Sequence, residues 1–220
     1  MIYRGGTTEE RLYLGSITFE SRGSPVIVQR TDMPNMPSLI ARHKARYLLA
    51  GFFCRPGMSV LDFPCGSGYG SEVFNDMGAW YGGMDIDEVT IQYCRKVYSS
   101  PFNSFSVRDL TKPKLVPLGY DLIACLEGLE HIRQEHQTPL IQAFYDALVP
   151  GGILVVSSPE APGDSGPSKA NLYHRWELSR SDFVDMLDDV FVDVQLLEHK
   201  DTLHNGEQAI CLYGICRKEN

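Results

Sequence analysis

The sequence predicts an α/β fold: a doubly wound, mostly parallel seven-stranded sheet that finishes in an antiparallel C-terminal hairpin strand. Three observations predict it. Residues Val60 to Gly70, Val-Leu-Asp-Phe-Pro-Cys-Gly-Ser-Gly-Tyr-Gly, read as a buried strand running into a glycine-rich turn and then a helix. Strand-like and helix-like segments then alternate, which calls for βαβ units and a ligand crevice at the C-terminal ends of the strands. Finally, two strand-like runs are separated by little more than a turn at His204-Asn205-Gly206. Strands joined that tightly must pair antiparallel, because a parallel crossover needs about a dozen residues.

Taken in order, residues 1–35 read as an irregular, polar segment and residues 36–220 as a single domain. Pro37 to Cys54 carries apolar residues at helical spacing (Leu39, Ile40, Tyr47, Leu48, Phe52) and stops at Pro56-Gly57. Strands fit Ser59–Phe63, Trp80–Asp85, Ser104–Arg108, Asp121–Leu126 and Ile153–Ser157. Helices fit Tyr69–Asp76, Glu88–Val97 and Pro139–Leu148. A loop rich in Pro, Gly and Ser runs from Pro159 to Asn171. A helix at Arg180–Leu187 follows, and then strands at Asp193–Leu197 and Gln208–Cys216. No internal repeat or low-complexity tract interrupts this order.

Composition narrows the class. A chain of 220 residues that is 43% hydrophobic and 22% charged has the make-up of one domain with a full core. No apolar run approaches the roughly 20 residues of a membrane span. The first residues bring a charge at Arg4 and then polar groups, which is not a secretory pattern. Six cysteines without a C-x-x-C pair read as reduced core thiols, so a cytoplasmic protein is expected. The net charge of −8 argues against nucleic acid as a partner, and the one basic cluster, Arg42 to Arg46, is short.

The glycines carry more specific information. They fall as G-x-G-x-G behind an acidic strand end, whereas a dinucleotide fingerprint runs G-x-G-x-x-G. The order Asp62-x-x-Cys65-Gly66-x-Gly68 resembles the first motif of the Rossmann-like S-adenosylmethionine-dependent methyltransferases. Those enzymes usually carry Gly where this chain has Pro64, which offers one backbone N–H fewer. Further segments match the family in order. Asp85 ends the second strand about 20 residues past the glycines, where such enzymes bind the ribose hydroxyls. Asp109 ends the third strand, at the position that accepts from the adenine amino group in similar enzymes; a helix N-cap is the lesser alternative. Tyr120 to Glu127 forms the fourth strand, whose end faces the transferable methyl group. Leu148-Val149-Pro150-Gly151-Gly152 resembles the family's turn into strand five. Arg46, on the helix before the first strand, is placed to pair with the cofactor's carboxylate, or else lies on a solvated face. The resemblance thus implies S-adenosylmethionine as cofactor, held by Arg46, Asp62, Phe63, Pro64, Gly66, Gly68, Asp85, Ile86, Asp109, Leu110 and Leu126.

Methyl transfer from a sulfonium is an in-line displacement, so the acceptor's proton is what needs a side chain. Glu127-Gly-Leu-Glu130-His131 places three polar groups at i, i+3 and i+4, one face of a helix just past the fourth strand. Asn171-Leu-Tyr173-His174 follows in the loop expected to fold back over the crevice. Glu127, Glu130, His131 and His174 together offer the donors of a divalent-metal site for Mg²⁺ or Mn²⁺. The E-x-x-E-H run also resembles the metal motif of ubiquinone-pathway O-methyltransferases and of small-RNA 3′-end 2′-O-methyltransferases. There the metal holds two neighbouring acceptor oxygens and lowers the pKa of one. A metal-free reading stands beside it, with Glu127, His131 and His174 as acid–base or orienting groups; a purely structural role is the third.

Glu10 to Gly15, Arg46-Tyr47, Asn171 to His174 and Ser179 to Phe183 resemble bacterial and phage methyltransferases associated with surface polysaccharides. The expectation is O-methylation of a hydroxyl on a sugar, glycan or small vicinal diol. Residues 1–35 would serve as an acceptor-side lid together with the 159–171 loop. The alternatives are a nitrogen or RNA-end acceptor served by a His or Glu base, and a non-catalytic cofactor-binding partner subunit. Retention of Asp85, Asp109 and the Glu/His set argues against the last. No pattern in the sequence marks an oligomer interface.

Overall fold

The computed structural model describes residues 2–3, 11–32, 36–202 and 208–220. Arg4, Glu10 and the His204-Asn205-Gly206 turn lie outside the described residues. In chain order the elements are β1 (Ile2–Tyr3), β2 (Ile17–Ser21), β3 (Ser24–Val28), α1 (Met36–Gly51), β4 (Ser59–Asp62), α2 (Gly70–Asp76), β5 (Trp80–Asp85) and α3 (Glu88–Val97). They continue as β6 (Asn103–Val107), β7 (Tyr120–Leu126), α4 (Gln134–Ala147), β8 (Leu148–Pro159), α5 (Arg180–Asp188), β9 (Asp193–Thr202) and β10 (Gln208–Arg217).

Seven strands make the central sheet in the order β6-β5-β4-β7-β8-β10-β9. The first five are parallel, while β10 pairs antiparallel with both β8 and β9. The order reverses at β4, and a ligand crevice opens beyond the strand ends at such a switch point. Consecutive strand residues face opposite sides, so Val60 and Leu122 join one core while Leu61 and Ile123 join the other. The first core packs under α1, α2 and α3, with Tyr47, Phe74 and Ile91 buried. The second lies under α4 and α5, with Phe144, Phe183 and Leu187 buried. All six cysteines are buried free thiols. No helix among the described residues is long and apolar enough to cross a membrane.

Three elements differ from the sequence expectation. Part of the segment expected to be irregular is a small sheet, β1-β3-β2. Its hairpin closes through Arg22-Gly23, both at positive φ (50° and 76°), between the paired Ser21 and Ser24. Phe19, Val26 and Val28 turn inward on alternate positions and enter the first core. Helix α4 begins at Gln134 and contains Pro139, which forfeits one backbone bond but does not end the helix. The stretch Glu127 to His131 is not a helix: only Leu129–His131 form a 3₁₀ turn, and Glu127 sits at φ 53°.

Candidate active site

A cavity of about 860 Å³ opens beyond the ends of β4, β5, β6 and β7. Each neighbouring element contributes residues the sequence singled out. The loop after β4 supplies Phe63, Pro64 and Gly66; the end of β5 supplies Asp85 and Ile86; the segment after β6 supplies Asp109 and Leu110. Leu126 and Glu127 come from the end of β7, Arg46 from α1, Glu130 and His131 from the 3₁₀ turn, and His174 from the loop after β8. Asp62 and Gly68 lie behind this lining and hold its shape.

The glycine loop is tied down from below. Cys65 N donates to Met84 O at 2.7 Å and Gly66 N donates to Asp85 Oδ2 at 3.1 Å. Gly66 has φ 51°, and a Cβ built on it would meet nothing within 4 Å, so the loop leaves room for a ligand against bare backbone. Asp62 is fully buried and accepts from Tyr81 Oη at 2.6 Å. Burial pushes its carboxyl up to about 7, against the lowering effect of the Tyr81 and Tyr47 hydroxyls.

Asp85 is held by three donors: the Arg11 guanidinium, Gly66 N, and Asp87 N at 2.9 Å. Both Arg11 and Asp85 side chains are buried. Sequence reading did not single out Arg11 as a site residue, and no local pattern could have done so, because its partner lies 74 positions away. The same N-terminal segment receives the Ser67 hydroxyl on Leu12 O and joins Tyr13 Oη to Thr90 Oγ1 at 2.6 Å. It is therefore stitched to the glycine loop and to α3. Asp109 accepts from Thr111 N and Thr111 Oγ1, both at 2.9 Å, and so caps a turn where a helix cap was the alternative.

The structure divides the four expected metal ligands. Glu130, His131 and His174 have ligand atoms within 4.8 Å of one another, and Glu130 is 1% exposed. Glu127 faces elsewhere: Oε2 accepts from Arg46 Nη2 at 3.0 Å, and Oε1 accepts from Ser157 Oγ at 2.8 Å and Cys211 Sγ at 3.0 Å. The cause is local. A Cβ on Gly128 would lie 2.5 Å from Pro64 Cδ, so the chain passes tightly under the glycine loop and breaks the helical spacing that would align Glu127 with Glu130 and His131. The left-handed backbone of Glu127 costs energy for a residue with a side chain, and such conformations concentrate at functional sites.

Arg46 therefore pairs with Glu127 across the cavity floor. Burial disfavours its charge, but Glu127 together with Cys211 and Tyr213 more than offsets this, and the guanidinium pKa is raised. Its Nε is buried without a hydrogen-bond partner, leaving a donor for a ligand oxygen. Cys211 is pushed up by burial and then by Glu127, and stays a thiol. Beside Glu130, His174 Nδ1 lies 2.6 Å from Glu177 Oε1 and His131 Nδ1 3.2 Å from Tyr173 O. A proton donated from each Nδ1 assigns the lone pair to Nε2, the arrangement that second-shell carboxylates and carbonyls impose on ligating histidines. Two imidazoles and one carboxylate suit Mn²⁺ better than Mg²⁺, which prefers oxygen donors.

A glycine loop at the switch point, an acidic strand end beside it and a polar cluster at the end of β7 define a nucleoside-cofactor transferase site. Residues 35–189 match the family model described as a methyltransferase domain, and the chain belongs to that family. A probable S-adenosylmethionine-dependent methyltransferase of Mycolicibacterium smegmatis is 27% identical over 158 residues, covering 70% of this chain and 59% of the relative. The match thus spans less than two thirds of that relative's length. A ubiquinone biosynthesis O-methyltransferase of Pseudomonas savastanoi pv. phaseolicola is 31% identical over 105 residues, covering 46% of this chain and 44% of the other. Among solved structures, Haemonchus contortus phosphoethanolamine N-methyltransferase 2, in complex with phosphomonomethylethanolamine and S-adenosylhomocysteine, superimposes with a TM-score of 0.68. It is 13% identical, and the match covers 80% of this chain and 53% of that one. At that identity the likeness concerns the fold: a Rossmann-like methyltransferase sheet.

Proposed function

We propose that the chain transfers the methyl group of S-adenosylmethionine to a hydroxyl of a sugar, glycan or small vicinal diol, at a site built on Glu130, His131 and His174. The observation that carries this reading is the grouping of those three side chains on the cavity that also contains the glycine loop and Asp85. Asp85 and Asp109 are the acceptors for the ribose and adenine, and the buried Nε of Arg46 is the donor for the cofactor carboxylate. Phe63, Pro64, Ile86, Leu110 and Leu126 supply apolar walls, with Asp62 and Gly68 supporting the loop behind them.

Glu130, His131 and His174 would hold a divalent ion of the Mn²⁺ type. When bound, such an ion would supply Lewis acidity that lowers the pKa of an acceptor hydroxyl. The residues themselves present the acceptor, exclude water and hold the acceptor in line with the sulfonium. Glu127 acts through Arg46, and Arg11, Leu12 and Thr31 wall the nucleoside half. Loop 159–175 covers the acceptor half, with its His174 joining the polar cluster.

The test is a calorimetric titration of Mn²⁺ into protein saturated with S-adenosylhomocysteine. The expected outcome is one site, weakened at least about tenfold by His174→Ala and retained in Glu127→Ala. Heat that is absent in the unaltered protein, or lost only in Glu127→Ala, overturns the metal assignment. It would leave His131 and His174 as acid–base groups and bring nitrogen acceptors forward.

A further inference from the structure

The acceptor end of the cavity carries positive charge that the fold assembles and leaves un-neutralised. Glu130 O accepts from Arg175 N at 2.6 Å and from Trp176 N at 3.2 Å. Gln137 Nε2 donates to Leu129 O at 2.8 Å and to Trp176 O at 3.0 Å. These bonds clamp residues 175–176 onto the 129–137 turn. Arg133 and His136, one helical turn apart with His136 N on Arg133 O at 2.9 Å, therefore line the same end of the cavity as Arg175.

Little in the protein neutralises these groups. Among the described residues no side chain hydrogen-bonds or pairs with His136 or Arg175, and Arg133 has only Glu135 at 3.9 Å, with both of those side chains exposed. The two carboxylates lining this end are committed elsewhere, Glu127 to Arg46 and Glu130 to the group it forms with His131 and His174. A chain of net charge −8 thus presents a cationic mouth beside its polar cluster. Charge of one sign gathered at the mouth of a cleft raises the local concentration of an oppositely charged ligand.

We propose that the methyl acceptor carries a phosphate group, received by Arg133, His136 and Arg175, with its reacting hydroxyl directed toward Glu130, His131 and His174. The choice of anion follows from the donors. One bidentate guanidinium saturates a carboxylate, whereas two guanidiniums and an imidazole arriving from two elements suit a tetrahedral oxyanion with three outer oxygens. A phosphorylated sugar meets both requirements of the cavity, an anion for its mouth and a hydroxyl for its polar cluster. The inference rests on the methyltransferase reading above.

The experiment titrates inorganic phosphate, and separately acetate, into protein saturated with S-adenosylhomocysteine at low salt. Phosphate is expected to bind at least about tenfold more tightly than acetate, and Arg175→Ala or the Arg133→Ala/Arg175→Ala pair to weaken it about tenfold or more. Affinity for S-adenosylhomocysteine should stay within about twofold in those variants, and Lys96→Ala, which removes an exposed charge of α3 outside the cavity lining, should leave phosphate binding unchanged. Absent phosphate binding, acetate binding as tight as phosphate, or a Lys96→Ala effect equal to that of Arg175→Ala overturns the subsite while the cofactor reading stands. Failure of S-adenosylhomocysteine itself to bind overturns both.

Discussion

Asp62 shows how far a single residue's environment reaches. Its carboxyl titrates near 3.8 when the chain is unfolded and is pushed up to about 7 when folded, so between those values the native state holds a proton that the unfolded state has released. Stability from this group is therefore greatest at low pH and falls as pH rises through about 7. About three pH units at ~1.4 kcal/mol each bound the loss at about 4 kcal/mol. An Asp62→Asn variant stays neutral throughout and keeps an acceptor for Tyr81 Oη. Urea unfolding from pH 4 to 8 should show the unaltered protein losing about 2–4 kcal/mol relative to the variant. Parallel curves would mean that Asp62 is ionised in the fold. Glu127 is the contrasting residue, a carboxylate that accepts from Arg46, Ser157 and Cys211 on a left-handed backbone.

Between elements, the contact of Gly128 with Pro64 couples the turn after β7 to the loop after β4. Gly128→Ala forces a Cβ against a proline ring that cannot swing away, at a cost of about 1–3 kcal/mol. Because the shift moves the glycine loop and the Glu130-His131 turn together, affinity for S-adenosylhomocysteine and for Mn²⁺ should fall in the same variant. A change in only one would show that the two halves of the cavity are uncoupled. How much of this the sequence reveals depends on the range of the cause. Trp80–Asp85 and Glu88–Val97 are read to the residue because alternation, an Asp87 N-cap and a basic last turn are local signals. The expected face of Glu127, Glu130 and His131 assumes a helix that Gly128 interrupts, and only the packing under Pro64 reveals it. The β2–β3 hairpin lies in a segment read as irregular, because the polar residues among Phe19, Val26 and Val28 hide their alternation. Arg11 against Asp85 is purely tertiary.

For the molecule as a whole, the N-terminal segment is part of the domain's core as well as of its site. Leu12, Tyr13 and Val28 are at most 4% exposed, and Arg11 neutralises a buried carboxylate. Removing residues 1–31 should lower the melting temperature by about 10 °C or more, since several kcal/mol of burial is lost at roughly 2–4 °C each. Binding of S-adenosylhomocysteine should weaken as the Asp85 carboxylate loses its orientation. A deletion that leaves both unchanged would show that the segment is merely draped on the surface. At the other end of the sequence, β10 lies inside the sheet, bonded along one side to β8 and along the other to β9. Until β10 arrives, β8 offers a long unpaired edge containing Ile153-Leu-Val-Val156, the kind of strand that templates association with another chain. The sheet closes only once β10 is inserted between β8 and β9, and the β8–β10 pairing, distant in sequence, is of the high-contact-order kind that slows folding. The nascent or heat-stressed protein is most exposed to aggregation in the interval before it.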